Sequence, residues 1–376
     1  MPSSPIVRVP IWVVLAALAV AGLLAWTTLG PSPGSSATAL VQDDRSERTR
    51  ANASSESSGS DPASPQTESL EAPSEPRPGA PAQPLVVSLR QRATLLSVAG
   101  DVQARWRTNA ELRYIDVSPD GSVILGTSSA TGELVAIDGD SGEVSARVDV
   151  GEEPQGVTIS PDGSRALVVN RGSNTVSVVA LSDGAVQTPS QQIGVGEAPQ
   201  SVAFSPDGSR AYVTISAANR LALLNLSSME VETTIPVSGT PHEIAVSPEG
   251  GRLYVTARER GDVAVVDLSR GAVIWRVVVG SSPQALAVSP DGQRVYVATL
   301  GTDRIAIIDA DTLDPPRNVT IGDGPLGLQL GPDGRYLYVA ITGARELAVL
   351  DTETLEVVER IPLDAEPFWV QLMIRP

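Results

Sequence analysis

Six carboxylates stand at near-regular intervals along this chain: Asp120, Asp162, Asp207, Glu249, Asp291 and Asp333, spaced by 42, 45, 42, 42 and 42 residues. Acidic side chains in such number could ligate a hard cation, which takes six to eight oxygen donors. Each, however, sits in its own copy of a short motif: SPDG from Ser118, Ser160, Ser205 and Ser289, SPEG from Ser247, and GPDG from Gly331. Carboxylates held one per repeat cannot converge on one ion, so their expected role is to cap turns. Other chemistries are bounded by what the chain lacks. It has no cysteine, which removes disulfides, thiol nucleophiles, thiolate zinc sites and haem attachment. Its one histidine, His242, leaves no multi-histidine metal site. The formal net charge of −17 argues against a nucleic-acid partner. All 27 basic residues are Arg.

A period of about 42 residues in a chain rich in Val, Ile and Ala marks a propeller or an array. The unit from Pro283 to Gly322 shows why. PQALAVS reads as a strand and SPDG as a tight turn, with Pro presetting φ and Gly accepting a positive one. RVYVATL, IAIIDA and RNVTIG then form three more strands, separated by GTDR and DTLDPP turns. Four antiparallel strands make one propeller blade. Six such units are complete. A seventh begins at Glu366 with Pro367-Phe368-Trp369-Val370-Gln371-Leu372. The strands it lacks are supplied by Pro84–Ala99, which aligns with Arg252–Asp267, and by VQARWRT. The expected fold is therefore all-β: a seven-bladed propeller over 84–376, closed by N-terminal strands plus the C-terminal strand. In the second unit the insertion TPSQQ is expected to form an edge bulge in the outermost strand.

Two further segments precede the repeats. Residues 1–30 contain an uncharged apolar run, Ile11 to Leu29, flanked by Trp12 and Trp26, long enough at about 1.5 Å per residue to span a ~30 Å hydrocarbon core. A retained transmembrane anchor is expected, with a cleaved signal sequence ending near Ala37-Thr38-Ala39 as the alternative. Arg8 beside this run is expected to keep the amino terminus in the cytoplasm, which would put the propeller on the periplasmic or extracellular side of the membrane. Residues 31–83 are rich in Ser, Pro, Glu and Ala and read as a disordered tether.

The units resemble YVTN-type β-propeller repeats, with a Gly-x-x-Pro lead, V-SPDG, Y-V and a Val-Ile-Asp strand, as in SPDGSRALVVNRGSNTVSVVAL from Ser160 and SPDGSRAYVT from Ser205. The resemblance implies an extracytoplasmic seven-bladed fold. It leaves function open among binding proteins, surface-layer proteins, lactonase-like enzymes and accessories of quinoprotein or amine dehydrogenases.

Propeller ligands usually sit at the central channel. Aligning the seven units places one residue per blade after the Pro position, and the ring is mixed: Arg113, Gln155, Gln200, His242, Gln284, Leu326 and Phe368. Arg113, Gln155, Gln200, His242, Gln284 and Phe368 are the candidate ligand-binding set at the channel mouth, with Arg113 suited to an anionic group. The alternative is that these side chains satisfy loop backbone. Two positions further on, Ile115, Val157, Val202, Ile244, Leu286, Leu328 and Val370 are uniformly apolar and are expected between blades. No catalytic set, metal or cofactor is expected. The leading function is a membrane-tethered, monomeric binding or scaffold module for a protein partner or small ligand. One alternative is a lactonase-like hydrolase or lyase using His242, Arg113 and channel carboxylates such as Asp116 or Glu243. The other is an electron-transfer accessory.

Overall fold

Seven antiparallel sheets stand around one axis in a computed structural model that describes residues 83–373 apart from Ala93, Asp183, Gly184 and Ser190. Blade 1 holds strands Ile115–Val117, Val123–Ser128, Glu133–Asp138 and Val144–Asp149, from the axis outward. Blades 2 to 6 begin at the innermost strands Pro154–Ile159, Pro199–Phe204, Pro241–Val246, Pro283–Val288 and Pro325–Leu330. Blade 7 is assembled from both ends of the repeat region. Its order is Pro367–Leu372, Leu85–Leu89, Thr94–Ala99, Asp101–Arg107, with Val87 paired to Val370 and Leu85 to Leu372. The seven-bladed closure expected from the repeats is what forms. The anchor expected over 1–30 lies outside the described residues, as does the tether expected over 31–83 except for Gln83. Among the described residues no helix is long and apolar enough to cross a membrane.

Burial along a blade explains the sequence pattern. The second strand of blade 1, Val123–Ser128, is buried at every residue, whereas the outermost, Val144–Asp149, alternates. A blade's inner strands are covered on both faces by neighbouring blades, so they carry apolar residues and a few buried small polar side chains such as Thr127 and Ser128. The outer strands project past those neighbours and return to period two. In blade 2 the TPSQQ insertion divides the outermost strand into Ala185–Val186 and Gln191–Gly194, both paired with Thr175–Ser182.

The core is divided among seven seams, one between each pair of adjacent blades. The seam between blades 2 and 3 alone contains Leu167, Val169, Val202, Val213 and Leu224 among its fully or nearly buried side chains. At roughly 1.5–3 kcal/mol for each large apolar side chain, such a seam outweighs the mostly exposed ion pairs, worth about 0–1 kcal/mol each. The seam between blades 7 and 1 packs Val86 and Leu95 against Leu112, Ile115 and Ile124, so closure is as apolar as any other joint.

Each SPDG turn is locked by its acidic residue. Asp120 Oδ1 accepts from Ser118 Oγ at 2.6 Å, Ser122 N at 3.0 Å and Ser122 Oγ at 2.8 Å. Gly121 takes a φ of 71°, in the left-handed region that favours glycine. These hydrogen bonds to the charged form hold the carboxyls of Asp120, Asp162 and Asp207 down at about 2. The turn-capping role expected of these residues is the one they have.

Seam closure requires the last innermost strand. Deleting Glu366–Pro376 should abolish cooperative thermal unfolding, followed by circular dichroism. A shortened chain that melts like the full one would show that the seventh blade does not close the ring.

Candidate functional site

A regular distortion shapes the channel. In blade 3, Pro199 pairs with Ile215 and Val202 with Val213, so three steps on the innermost strand oppose two on its partner. The same bulge recurs in blades 2, 4, 5 and 6, and in blade 7 Leu89 and Ser88 pair with Pro367 and Trp369. A bulge re-aims side chains and leaves an unpaired amide. Here a buried hydroxyl receives it: Thr214 Oγ1 accepts from Ser201 N at 2.9 Å and donates to His242 O of the next blade at 2.9 Å. Ser88 repeats the device across the closure, accepting from Trp369 N at 3.1 Å and donating to Arg113 O at 2.6 Å. Each such hydroxyl joins the bulge of one blade to the start of the next.

Beyond the bulge, the second and fourth residues after the Pro face the axis. The second are Tyr114, Gly156, Ser201, Glu243, Ala285, Gly327 and Trp369; the fourth are Asp116, Thr158, Ala203, Ala245, Ala287, Gln329 and Gln371. Members of both rings, including Tyr114, Asp116, Thr158, Ser201, Glu243 and Trp369, line a cavity of about 170 Å³. That is close to the ~150 Å³ cavities known to admit a benzene-sized guest. Larger clefts of about 320 and 350 Å³ lie at the rim between neighbouring SPDG turns, lined by side chains already engaged in those turns.

The cavity has a closed end and an open end. Tyr114 is buried, and Gln200 Nε2 from blade 3 donates to its Oη at 3.2 Å, bridging the mouth on the Pro side. Phe368 meets the Tyr114 ring edge-on at 5.3 Å, and Trp369 lies against it at 5.0 Å. In contrast, every residue of the fourth-position ring is partly exposed. Solvent therefore reaches the cavity from the SPDG face. Gly327 allows the inner strands to crowd on the axis, since a Cβ there would stand 2.8 Å from Phe368 O and Trp369 Cα.

Two carboxyls in this space are perturbed. Burial, the largest cause, pushes Glu243 up to about 7, against the hydrogen bonds from Ser201 Oγ and Ile244 N. Burial likewise raises Asp116 to about 6, opposed by hydrogen bonds to Ile159 N at 2.7 Å and Val117 N at 2.9 Å. Asp116 thereby braces blade 1 to blade 2. Burial and the nearby Glu243 raise the Tyr114 phenol far above its ordinary value.

None of the six residues expected at the channel mouth lines this cavity. Gln155 Nε2 donates to Ser129 Oγ at 3.3 Å, and Gln284 Nε2 donates to Ser282 O and Oγ at 3.2 and 2.9 Å. Arg113 is exposed and pairs with Glu111 at 3.4 Å. Gln200 and Phe368 meet at Tyr114, so these two help to close the mouth. His242 is buried at 8% exposure with no partner for Nδ1. Burial, then Arg258 and Arg171, lower it to about 3, so its imidazole stays neutral near pH 7. The cavity-lining Ser201, Trp369 and Tyr114 were not among the sequence candidates. Their signal was the apolar third position, whose neighbours on either side must face the opposite way.

The family model of YNCE-like β-propellers matches residues 102–294, just over half of the chain. The chain belongs to this family. No curated protein matches it in sequence. Solved structures similar to this family member include hydrazine synthase of Kuenenia stuttgartiensis, at 23% identity and a TM-score of 0.62, over 69% of this chain and 88% of that one. A candidate 6-phosphogluconolactonase of Bacteroides uniformis is 19% identical with a TM-score of 0.65, over 77% and 98%. A protein of unknown function from Desulfotomaculum acetoxidans is 17% identical with a TM-score of 0.67, also over 77% and 98%. At these identities the likeness is one of fold, and it joins this member of the family to proteins of varied roles.

The raised carboxyl has a thermodynamic consequence. Between the ordinary carboxyl value and about 7, the folded protein holds a proton on Glu243 that the unfolded chain has lost. Stability from this group therefore falls as pH rises through that window. Glu243→Gln should raise stability at pH 8 by on the order of 1–3 kcal/mol and change it little at pH 4. Urea unfolding at the two pH values tests this; an equal effect at both would remove the titration as the cause.

Proposed function

We propose that this protein is a membrane-tethered, extracytoplasmic binding module that receives a small ligand in the axial cavity from the SPDG face, without chemistry. The observation that carries the reading is the cavity itself: closed at one end by the Tyr114–Gln200 bridge, open at the other, and lined by polar and aromatic side chains together. The sole imidazole, His242, lies outside it and stays neutral, which speaks against its use as a general acid. The apolar run from Ile11 to Leu29 supports the tether, and the Ser/Pro/Glu-rich stretch after it would give the propeller reach. The outer surface of the blades remains available for a protein partner.

A second reading, a lactonase-like hydrolase, draws support from one contact. Ser201 Oγ donates to Glu243, a carboxyl poised near neutrality, which is the relation of a hydroxyl to a general base. The full chain incubated with a panel of aldonolactones separates the two readings. The binding module gives no turnover above buffer, whereas turnover that disappears in Ser201→Ala would establish the hydrolase.

The tether is tested by expressing the full chain in a bacterium and washing its membranes with alkaline carbonate. The protein should stay with the membrane, and external protease should digest the propeller in spheroplasts. Recovery of a soluble form starting near residue 40 would replace the anchor with a signal sequence.

A further inference from the structure

Glu243 is a carboxyl without a counter-charge. Its Oε1 accepts from Ser201 Oγ and, at 3.4 Å, from Ile244 N, and no hydrogen bond reaches Oε2 among the described residues. Asp116, the other carboxyl of the cavity, differs: backbone amides occupy both of its oxygens. No Arg lines the cavity, and the chain has no Lys. Arg113 and Arg258 act on Tyr114, and no basic group shifts Glu243. A half-buried carboxylate with no cation beside it is stabilised in its charged form when one joins it. The remaining walls select which cation. Trp369 and Tyr114 present aromatic rings, tilted 56° to one another at 5.0 Å, while Val157, Val202 and Ile244 add apolar surface. A strongly hydrated metal ion gains little from such walls. A cation carrying carbon is attracted both by the ring faces and by the carboxylate.

We propose that the cavity binds a small organic ammonium ion, with Glu243 as its counter-ion and the Trp369 and Tyr114 rings as its walls. The proposal rests on reading the cavity as a ligand site and adds the charge class of the ligand. The volume of about 170 Å³ suits an ion of the size of tetramethylammonium or choline. Burial raises Glu243 to about 7, so at pH 8 the carboxyl is mostly charged and able to pair with a cation.

The test is calorimetric titration of the full chain, in a maltoside detergent that carries no ammonium group, at pH 8. The probes are tetramethylammonium, choline and 3,3-dimethyl-1-butanol, which has the shape of choline without its charge. Choline or tetramethylammonium should bind saturably, the alcohol at least tenfold more weakly than choline, and Glu243→Gln should weaken the ammonium at least tenfold. Equal binding of choline and the alcohol, undiminished binding to Glu243→Gln, or no saturation by either ammonium would overturn the proposal. Ala203→Trp, which adds bulk at the one alanine of the fourth-position ring that lines the cavity, keeps the two layers apart. If the alcohol binds and Ala203→Trp abolishes it, the cavity is a ligand site and only the ammonium class fails. If Ala203→Trp alters no response that the native chain shows, the cavity reading itself fails.

Discussion

A four-stranded blade of this protein cannot stand alone, because both faces of its inner strands are apolar. Each must be pressed between two others, and only a closed ring provides two neighbours for all seven. That requirement governs the remaining structure. It accounts for the second strands buried at every residue after the first, for the single motif repeated at a period near 42, and for a last blade built from both ends of the repeat region. Hydrogen bonding obeys the same logic at the axis. The bulged amides of the innermost strands are met by buried Thr and Ser hydroxyls, and several of these also reach into the adjacent blade. Ser88 carries this pattern over the joint between the chain's two ends. The ring is thus closed by apolar area and registered by hydroxyls.

The bulge has a second effect. It turns the second residue after the Pro position toward the cavity and leaves the residue before it to the channel mouth or to loop contacts. Gln155 and Gln284, polar and variable, are taken up by Ser129 and Ser282, while their successors Gly156 and Ala285 leave room at the centre. Bulk is restored on one side only, by Tyr114 and Trp369. The asymmetry gives the channel one closed mouth and one open one, and sets aromatic rings beside the carboxyl of Glu243.

The acidic residues fall into two populations with opposite responses to pH. The turn aspartates are exposed and hydrogen-bonded in their charged form, so their stabilisation is present above their ordinary value and is lost as pH falls toward about 2. The axial carboxyls are largely withdrawn from solvent and favour the proton, so their contribution declines as pH rises through about 6 for Asp116 and 7 for Glu243. A carboxyl is a structural device in a turn and a proton-holding group at the axis. Water, present in one place and scarce in the other, makes the difference.

The blade count and the closing joint were legible in the sequence, because a repeat states its own period and an incomplete copy names the strands it lacks. The turn role of Asp120, Asp162, Asp207, Asp291 and Asp333 was legible too, since the donors to these carboxylates lie within two residues of them. Asn170 shows where legibility ends. Its purpose, linking Val150, Thr175 and Ser177, appears only when blade 1 lies beside blade 2. The site lies further from reach. Strict alternation points to the face opposite Ile115, Val202 and Ile244, but which members of that face share a cavity depends on a bulge and on the crowding of seven strands. Local hydrogen bonds and periodicity therefore determined the blades from sequence alone. The pairing of Ser201 with Glu243, the bridge from Gln200 to Tyr114 and the missing counter-charge join residues from different blades, so only the closed ring could decide them.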